Sequence, residues 1–190
     1  HVIYQSSTAL PSVNKTTAHL RVLMVGHLRD EKNPQLLWQA AQALSADDGI
    51  YIDHIGKALD PALAQQAQRV TSQCSHYRWL GEQPHAHTRR SIQRAHVLVH
   101  PSHLEGGAHV IMEAVLSDTP VLASRVSGNV GMLGVDYAGY FEHGNATQLA
   151  DLLRQCQRTQ TKPDGLLAQL TRACHARAPL FQPERERASL

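Results

Sequence analysis

Two carboxylates, Glu105 and Glu113, stand with seven residues between them in the run HPSHLEGGAHVIMEAVLSDTPVLASR, and a glycine pair, Gly106 and Gly107, follows the first. The preceding stretch, His96 to His100 (HVLVH), is short, β-branched and apolar at its centre, so it reads as a buried strand ended by Pro101-Ser102. From Ala108 onward Val110, Ile111, Ala114 and Val115 recur at helical spacing. The glycines are therefore expected at a helix entrance, where backbone N–H groups lack intrahelical partners and the macrodipole is positive. Such an end takes anions, phosphate among them. Glu113 should lie about 8 to 10 Å further along the axis at 1.5 Å per residue, and a diphosphate joining a sugar to a ribose spans a similar distance. The pattern suits a phosphorylated, hydroxyl-rich ligand such as an activated sugar, with one acid for sugar hydroxyls, the other for ribose hydroxyls and the phosphates on the amides between. Flanked by Met112, Ala114 and Val115, Glu113 needs a partner more than a surface acid does.

The elements that must position these residues alternate along the chain. Arg21 to Val25 reads as a strand, Pro34 to Ala46 as a helix with proline at its start, and Ile50 to Ile55 as a second strand. A helix over residues 60–73, a third strand over 77–80 closed by Gly81, and a helix over 88–95 lead to the strand and helix already described. A fifth strand is predicted over 120–123, a short sixth over 139–141, a helix over 145–157 and two further helical stretches after it. Regular βα alternation with apolar strands implies an α/β fold, a doubly wound, Rossmann-like parallel sheet. In the commonest order, 3-2-1-4-5-6, strands one and four are neighbours at the switch point where ligands bind. That order brings the loop after strand one (Gly26, His27, Leu28, Arg29, Asp30, Glu31, Lys32, Asn33) to face the helix entrance, with Lys32 and Arg29 near its anion. The loop lacks the G-x-G-x-x-G turn of a dinucleotide site, which argues against an NAD enzyme.

Composition bounds the remaining classes. With 42% hydrophobic residues over 190, the chain has room for a real core in one domain. A formal charge of +2, scattered Lys and Arg and only two Phe argue against dedicated nucleic-acid binding. There is no apolar run of about 20 residues and no signal-peptide pattern, so the expectation is a soluble, cytoplasmic protein without a transmembrane segment. Cys74, Cys156 and Cys174 are odd in number and widely spaced, which fits reduced structural thiols. Thirteen histidines invite a metal reading, but His96, His100 and His103 straddle a strand end without a helical face and no Asp or Cys completes a set, so no metal site is expected. The opening HVIYQSS reads as a strand running into a loose polar stretch over 12–17. The expected organisation is a lead-in over 1–19 from a missing N-terminal domain, a ligand-binding domain over 20–178, and a C-terminal tail or helix over 179–190.

The series VGHLRDEKNP, YRWLGE, VHPSHLEGGAHVIMEAVLSDTPVLAS and GYFEHGNATQLADLL resembles the C-terminal, donor-binding domain of GT-B glycosyltransferases of family 4 over roughly residues 20–156. The resemblance implies a nucleotide-sugar substrate, a UDP-sugar above all, no cofactor and no metal, and an acceptor held by the chain's own N-terminal domain. It implies that Glu105, beside the donor sugar, and Lys32, at the diphosphate, are the catalytic residues. Glu113 would hold the ribose hydroxyls, the amides of Gly106, Gly107, Ala108 and His109 would meet the diphosphate, and the backbone around Arg78 and Leu80 would contact the base. The family usually carries Arg directly after Gly26, where this chain has His27. Either His27 donates to the phosphate, Arg29 substitutes, or phosphate is held less tightly. The stretch Ser127 to Gly134 lacks the acid common after the fifth strand, and its glycines suggest either close approach to a ligand or a plain turn. GHLRDEKNP, EGGAHVIMEA, GNVGMLG and DYAGY look like a bacterial subgroup containing selenosugar synthase, which would use selenophosphate as acceptor. The alternatives are a GT-B epimerase of UDP-N-acetylglucosamine and a non-catalytic nucleotide-binding module.

Overall fold

A computed structural model describes residues 6–104 and 108–182. Six parallel strands form one sheet in the order β3-β2-β1-β4-β5-β6. They are β1 (Leu20–Val25), β2 (Ile50–Ile55), β3 (Tyr77–Gly81), β4 (Val97–His100), β5 (Val121–Ser124) and β6 (Tyr140–Phe141). The doubly wound sheet is the one the alternation predicts. The strand register pairs Val22 with Val97 and Leu23 with Leu98, so β1 and β4 are neighbours. Every residue of β4 and β5 is buried, as helices on both faces require.

The direction of travel across the sheet reverses after β3, and right-handed crossovers therefore place the helices on opposite faces. On one face α1 (Pro34–Ala43) packs on α2 (Pro61–Gln73) and α6 (Ala146–Arg158). On the other, α3 (His85–Arg94) packs on α4 (His109–Val115), and α7 (Leu166–Arg177) packs on α4 and on α5 (Ser127–Leu133). Local chemistry sets several starts. Pro34 and Pro61 open α1 and α2, and the Asp60 carboxylate accepts from the Ala62 and Leu63 N–H groups. Asn145 caps α6 by accepting from Gln148 N–H at 2.9 Å.

Three segments differ from the sequence expectation by more than a residue or two. Helix α1 ends at Ala43, and a separate 3-10 turn over Ala46–Asp48 follows, fixed by a Ser45–Asp48 capping box. Helix α3 starts at His85 rather than 88, because Pro84 carries the extended angles of an N-cap. The glycine-rich stretch after β5 is helix α5, with Gly134 at φ 95 closing it, rather than a plain turn. The buried Asn129 amide donates to the Ser124 carbonyl at 2.9 Å and offsets the weak helix propensity of the glycines. The polar stretch before β1 has no regular structure but is tied down. Leu10 N–H donates to the Leu116 carbonyl at 2.9 Å, and Lys15 Nζ to the Asp118 carbonyl at 2.9 Å.

Much of the histidine content serves this framework. His76 Nε2 donates to the Ala41 carbonyl at 2.8 Å. His96 accepts the Arg21 N–H on Nδ1 and donates from Nε2 to the Thr16 carbonyl, both at 2.8 Å. His54 is fully buried, with Nε2 2.9 Å from the Gly26 carbonyl and Nδ1 3.0 Å from the Tyr77 hydroxyl, which also accepts from Trp38 Nε1 at 2.8 Å. The three cysteines are free and buried.

Burial pushes the His54 pKa from 6.5 down to about 4, against a smaller raising effect of the Gly26 carbonyl. Between those values the unfolded chain binds a proton at this imidazole and the folded chain does not, so stability should fall as pH falls from 6.5 to 4. The full contribution is roughly 3 kcal/mol. Urea unfolding of the native chain and of His54→Gln at several pH values checks it: the native chain should lose the more stability on acidification through this window.

Candidate functional site

The cleft at the C-terminal edge of β1 and β4 has a volume of about 350 Å³. Its walls come from the turn after β1 (Gly26, His27 and Lys32), the end of β2, the segment before α3 (Glu82 and Gln83), and the entrance of α4 (Ala108 and His109). The loops after β1 and β4 meet here directly, since the His103 N–H donates to the Glu31 carbonyl at 3.1 Å.

The turn after β1 is stitched to the end of β2. Gly26 N–H donates to the Ile55 carbonyl and Leu28 N–H to the Lys57 carbonyl, both at 2.9 Å. His27 Nδ1 accepts the Lys57 N–H at 3.0 Å. A neutral His27 is therefore the Nε2–H tautomer and presents a donor from Nε2. Lys32 ends a 3-10 turn over Asp30–Lys32, and Asn33, in the left-handed region at φ 47, turns the chain into α1. The Lys32 stem lies over Gly26, with its Cγ 3.5 Å from where a Cβ on Gly26 would be.

Glu113 is buried, at 4% exposure, and is surrounded by nitrogen. His85 Nε2 lies 2.8 Å from its Oε1, His109 Nε2 3.6 Å, and Arg89 Nη1 3.8 Å. Arg89 is itself buried, donating to the Glu113 carbonyl at 3.3 Å and to the Thr8 carbonyl at 2.5 Å. The need for a partner was legible in the apolar run around Glu113. The identity of the partners was not, because His85 and Arg89 come from α3, whose first turn shows no acid or motif that points to them. The helix begins at His109, so Glu113 lies four residues inside it, about 6 Å along the axis rather than 8 to 10 Å.

Among the other residues singled out, Gly26, His27, Lys32, Ala108 and His109 line the one cleft. Glu105, Gly106 and Gly107 lie outside the described residues. Arg29 does not line the cleft, and its Nε is 3.9 Å from the Glu31 carboxylate. The Arg78 side chain is also elsewhere. It makes a two-pronged bond with Asp53, at 2.8 and 3.0 Å, on the open face of β2 and β3. The Leu80 carbonyl accepts from Gln83 Nε2 at 2.8 Å, and it is Gln83 and Glu82 that reach the cleft wall. A larger recess of about 560 Å³ lies along the first halves of β1 and β2, lined by His19, Arg21, Tyr51, Asp53 and Arg78 among others. It is at the opposite end of the strands from the switch point, and the ligand rule for open α/β sheets favours the smaller cleft. Among the described residues, no three His, Cys, Asp or Glu side chains gather as a metal site. No described helix is long and apolar enough to cross a membrane.

Solved structures share the fold. TarM of S. aureus, in a complex containing fondaparinux, alpha-GlcNAc-glycerol and UDP, superposes with a TM-score of 0.81 over 99% of this chain and 38% of its own, at 16% identity. HepE of Anabaena, in complex with UDP and glucose, gives 0.75 over 90% of this chain and 47% of its own, at 17% identity. In sequence, the Glycosyltransferase 1 domain-containing protein 1 of Xenopus tropicalis is 29% identical over 116 residues, which are 60% of this chain and 33% of that protein. The chain thus spans between a third and a half of the length of these proteins. The model of the family described as Glycosyl transferases group 1 matches residues 8–166, from the segment that meets Arg89 to the start of α7, and the chain belongs to that family.

Proposed function

We propose that this chain is the donor-binding domain of a GT-B glycosyltransferase of family 4, taking a nucleoside diphosphate sugar, UDP-linked in the first instance. The observation that carries the reading is the meeting, at one switch-point cleft, of Lys32, the His27 donor and the α4 entrance, with buried Glu113 one helical turn behind His109. The acid is suited to a vicinal diol. Its contacts with His85, Arg89 and His109 all fall on Oε1, and among the described residues no hydrogen bond reaches Oε2. An ionised carboxylate has about four lone-pair sites, so the ribose hydroxyls can be accepted without expelling His85. The UDP in the TarM and HepE complexes is in keeping with this assignment.

In this reading Lys32, His27 and the amides of Ala108 and His109 offset the charge of the departing diphosphate, and Glu105 lies beside the sugar. Catalysis then rests on positioning and on electrostatic stabilisation of the leaving group. The acceptor is held by a further N-terminal domain, and the domain alone binds donor without transfer. Within family 4 the assignment extends to the selenosugar synthase subgroup, in which the acceptor is selenophosphate. Epimerisation of UDP-N-acetylglucosamine and nucleotide binding without turnover are the outcomes that assays on an intact, two-domain protein separate from transfer.

Calorimetric titration with UDP, GDP and ADP tests the reading, and absence of binding to all three at millimolar concentration overturns it. Glu113→Gln keeps the shape of the side chain and removes its charge. It should weaken UDP about tenfold, about 1.4 kcal/mol, and unchanged affinity would return the acid to a purely structural role. Glu113→Ala also leaves the buried Arg89 guanidinium without its carboxylate, so it should lower stability as well as affinity. Lys32→Ala should weaken UDP about tenfold while leaving uridine nearly unaffected. Equal losses for the two ligands would remove Lys32 from the phosphates.

A further inference from the structure

We propose that His54, buried and out of reach of any ligand, is the positioning residue that aims the His27 backbone N–H into the cleft. The inference rests on the nucleotide-binding reading above and assigns a new role within that site. The Gly26 carbonyl can only accept, so the 2.9 Å contact with His54 Nε2 requires the proton on Nε2. Nδ1 is then an acceptor, 3.0 Å from a Tyr77 hydroxyl that already accepts from Trp38 Nε1 at 2.8 Å. The hydroxyl proton therefore goes to Nδ1. Trp38, Tyr77, His54 and the Gly26 carbonyl form a single donor-to-acceptor chain, with every polar atom paired and no net charge.

The consequence for the cleft follows from peptide planarity. In a trans peptide the carbonyl of one residue and the N–H of the next point in opposite directions. No cis peptide bond occurs among the described residues, so fixing the Gly26 carbonyl inward on His54 turns the His27 N–H outward, on the side of the cleft that His27 lines. Among the described residues that N–H donates to nothing. It is an oriented, uncommitted donor beside Lys32. Neighbouring contacts fix the surroundings of this peptide. In the preceding peptide plane Gly26 N–H is held by the Ile55 carbonyl at 2.9 Å, and the Gly26 carbonyl rests against Gly56 so closely that a Cβ there would collide with it. A carbonyl hydrogen-bonded to a neutral imidazole also carries no charge that would repel a diphosphate, which a buried Glu or Asp in its place would.

The 190-residue chain suffices for the test. In backbone amide NMR of the native chain, UDP should move the His27 N–H downfield and uridine should not. His54→Leu, which keeps the bulk and removes both hydrogen bonds, should bind UDP about tenfold more weakly with uridine held within about twofold. His54→Gln retains an amide donor for the Gly26 carbonyl and should recover most of the UDP affinity. A folded His54→Leu chain that binds UDP like the native one, or that loses UDP and uridine in equal proportion, overturns the proposal. Should His54→Leu fail to fold, a His27 amide that ignores UDP in the native chain overturns it independently. If the native chain binds neither ligand, the nucleotide reading itself falls, an outcome distinct from a native chain that binds UDP without engaging His27.

Discussion

The closeness of β1 to β2 at their C-terminal ends is the constraint on which the cleft depends. A Cβ on Gly56 would overlap the Gly26 carbonyl, so the two turns can adopt this approach only with glycine at 56. Once they are in contact, hydrogen bonds follow in sequence. Gly26 bonds back to Ile55, Leu28 to Lys57, and Gly56 to Gly81, linking the ends of three strands into one rim. Trp79 adds its indole N–H to the Gly56 carbonyl at 2.9 Å. The floor of the cleft is thus made of backbone that has already lost its freedom in folding, and binding there does not have to order it again. Lys32, by contrast, reaches the cleft on a flexible stem lying over Gly26, and it is the rigid rim that gives it a fixed surface to lie on.

The parts of this site that were legible in the sequence are those set by backbone rules. βα alternation predicts the strand order, and the strand order brings residues 26–32 to residues 108–109 across a gap of some eighty positions. The parts that were not legible are those set by which side chain happens to face another. Nothing in PHAHTRRSIQ shows that His85 and Arg89 point at Glu113, because helix α3 carries polar residues on most of its surface and only its packing on α4 selects between them. The stretch SGNVGML illustrates the opposite failure. Its glycines argue for a turn, yet burial of Asn129, Met132 and Leu133 on one side of the chain outweighs a propensity cost of about 1 kcal/mol per glycine. Arg78, the second residue of β3, shows the same dependence on packing: alternation along the strand sends its side chain to the open face, where Asp53 holds it.

The histidines resolve in the same terms. An imidazole is the one side chain that, while neutral, presents a donor and an acceptor on opposite edges of a rigid ring. His54, His76 and His96 use that property to satisfy backbone carbonyls inside the fold, and burial lowers the pKa of His54 and of His96, which keeps them in the neutral form the bonds need.

Glu113 connects this framework to the segment that precedes the sheet. A buried carboxylate is costly unless it is paired, and the Arg89 guanidinium that helps to pair it spends its other nitrogen on the Thr8 carbonyl. The same segment is fastened further along by Leu10 to Leu116, by Gln93 to the Pro11 carbonyl at 2.7 Å, and by His96 and Gln160 to the Thr16 carbonyl. Residues 6–16 are therefore not a passive leader to β1. They complete the coordination of an arginine that in turn stabilises the charge of the acid behind the cleft. A displacement of this segment would be felt at Glu113 through Arg89 and at the end of its helix through Leu116.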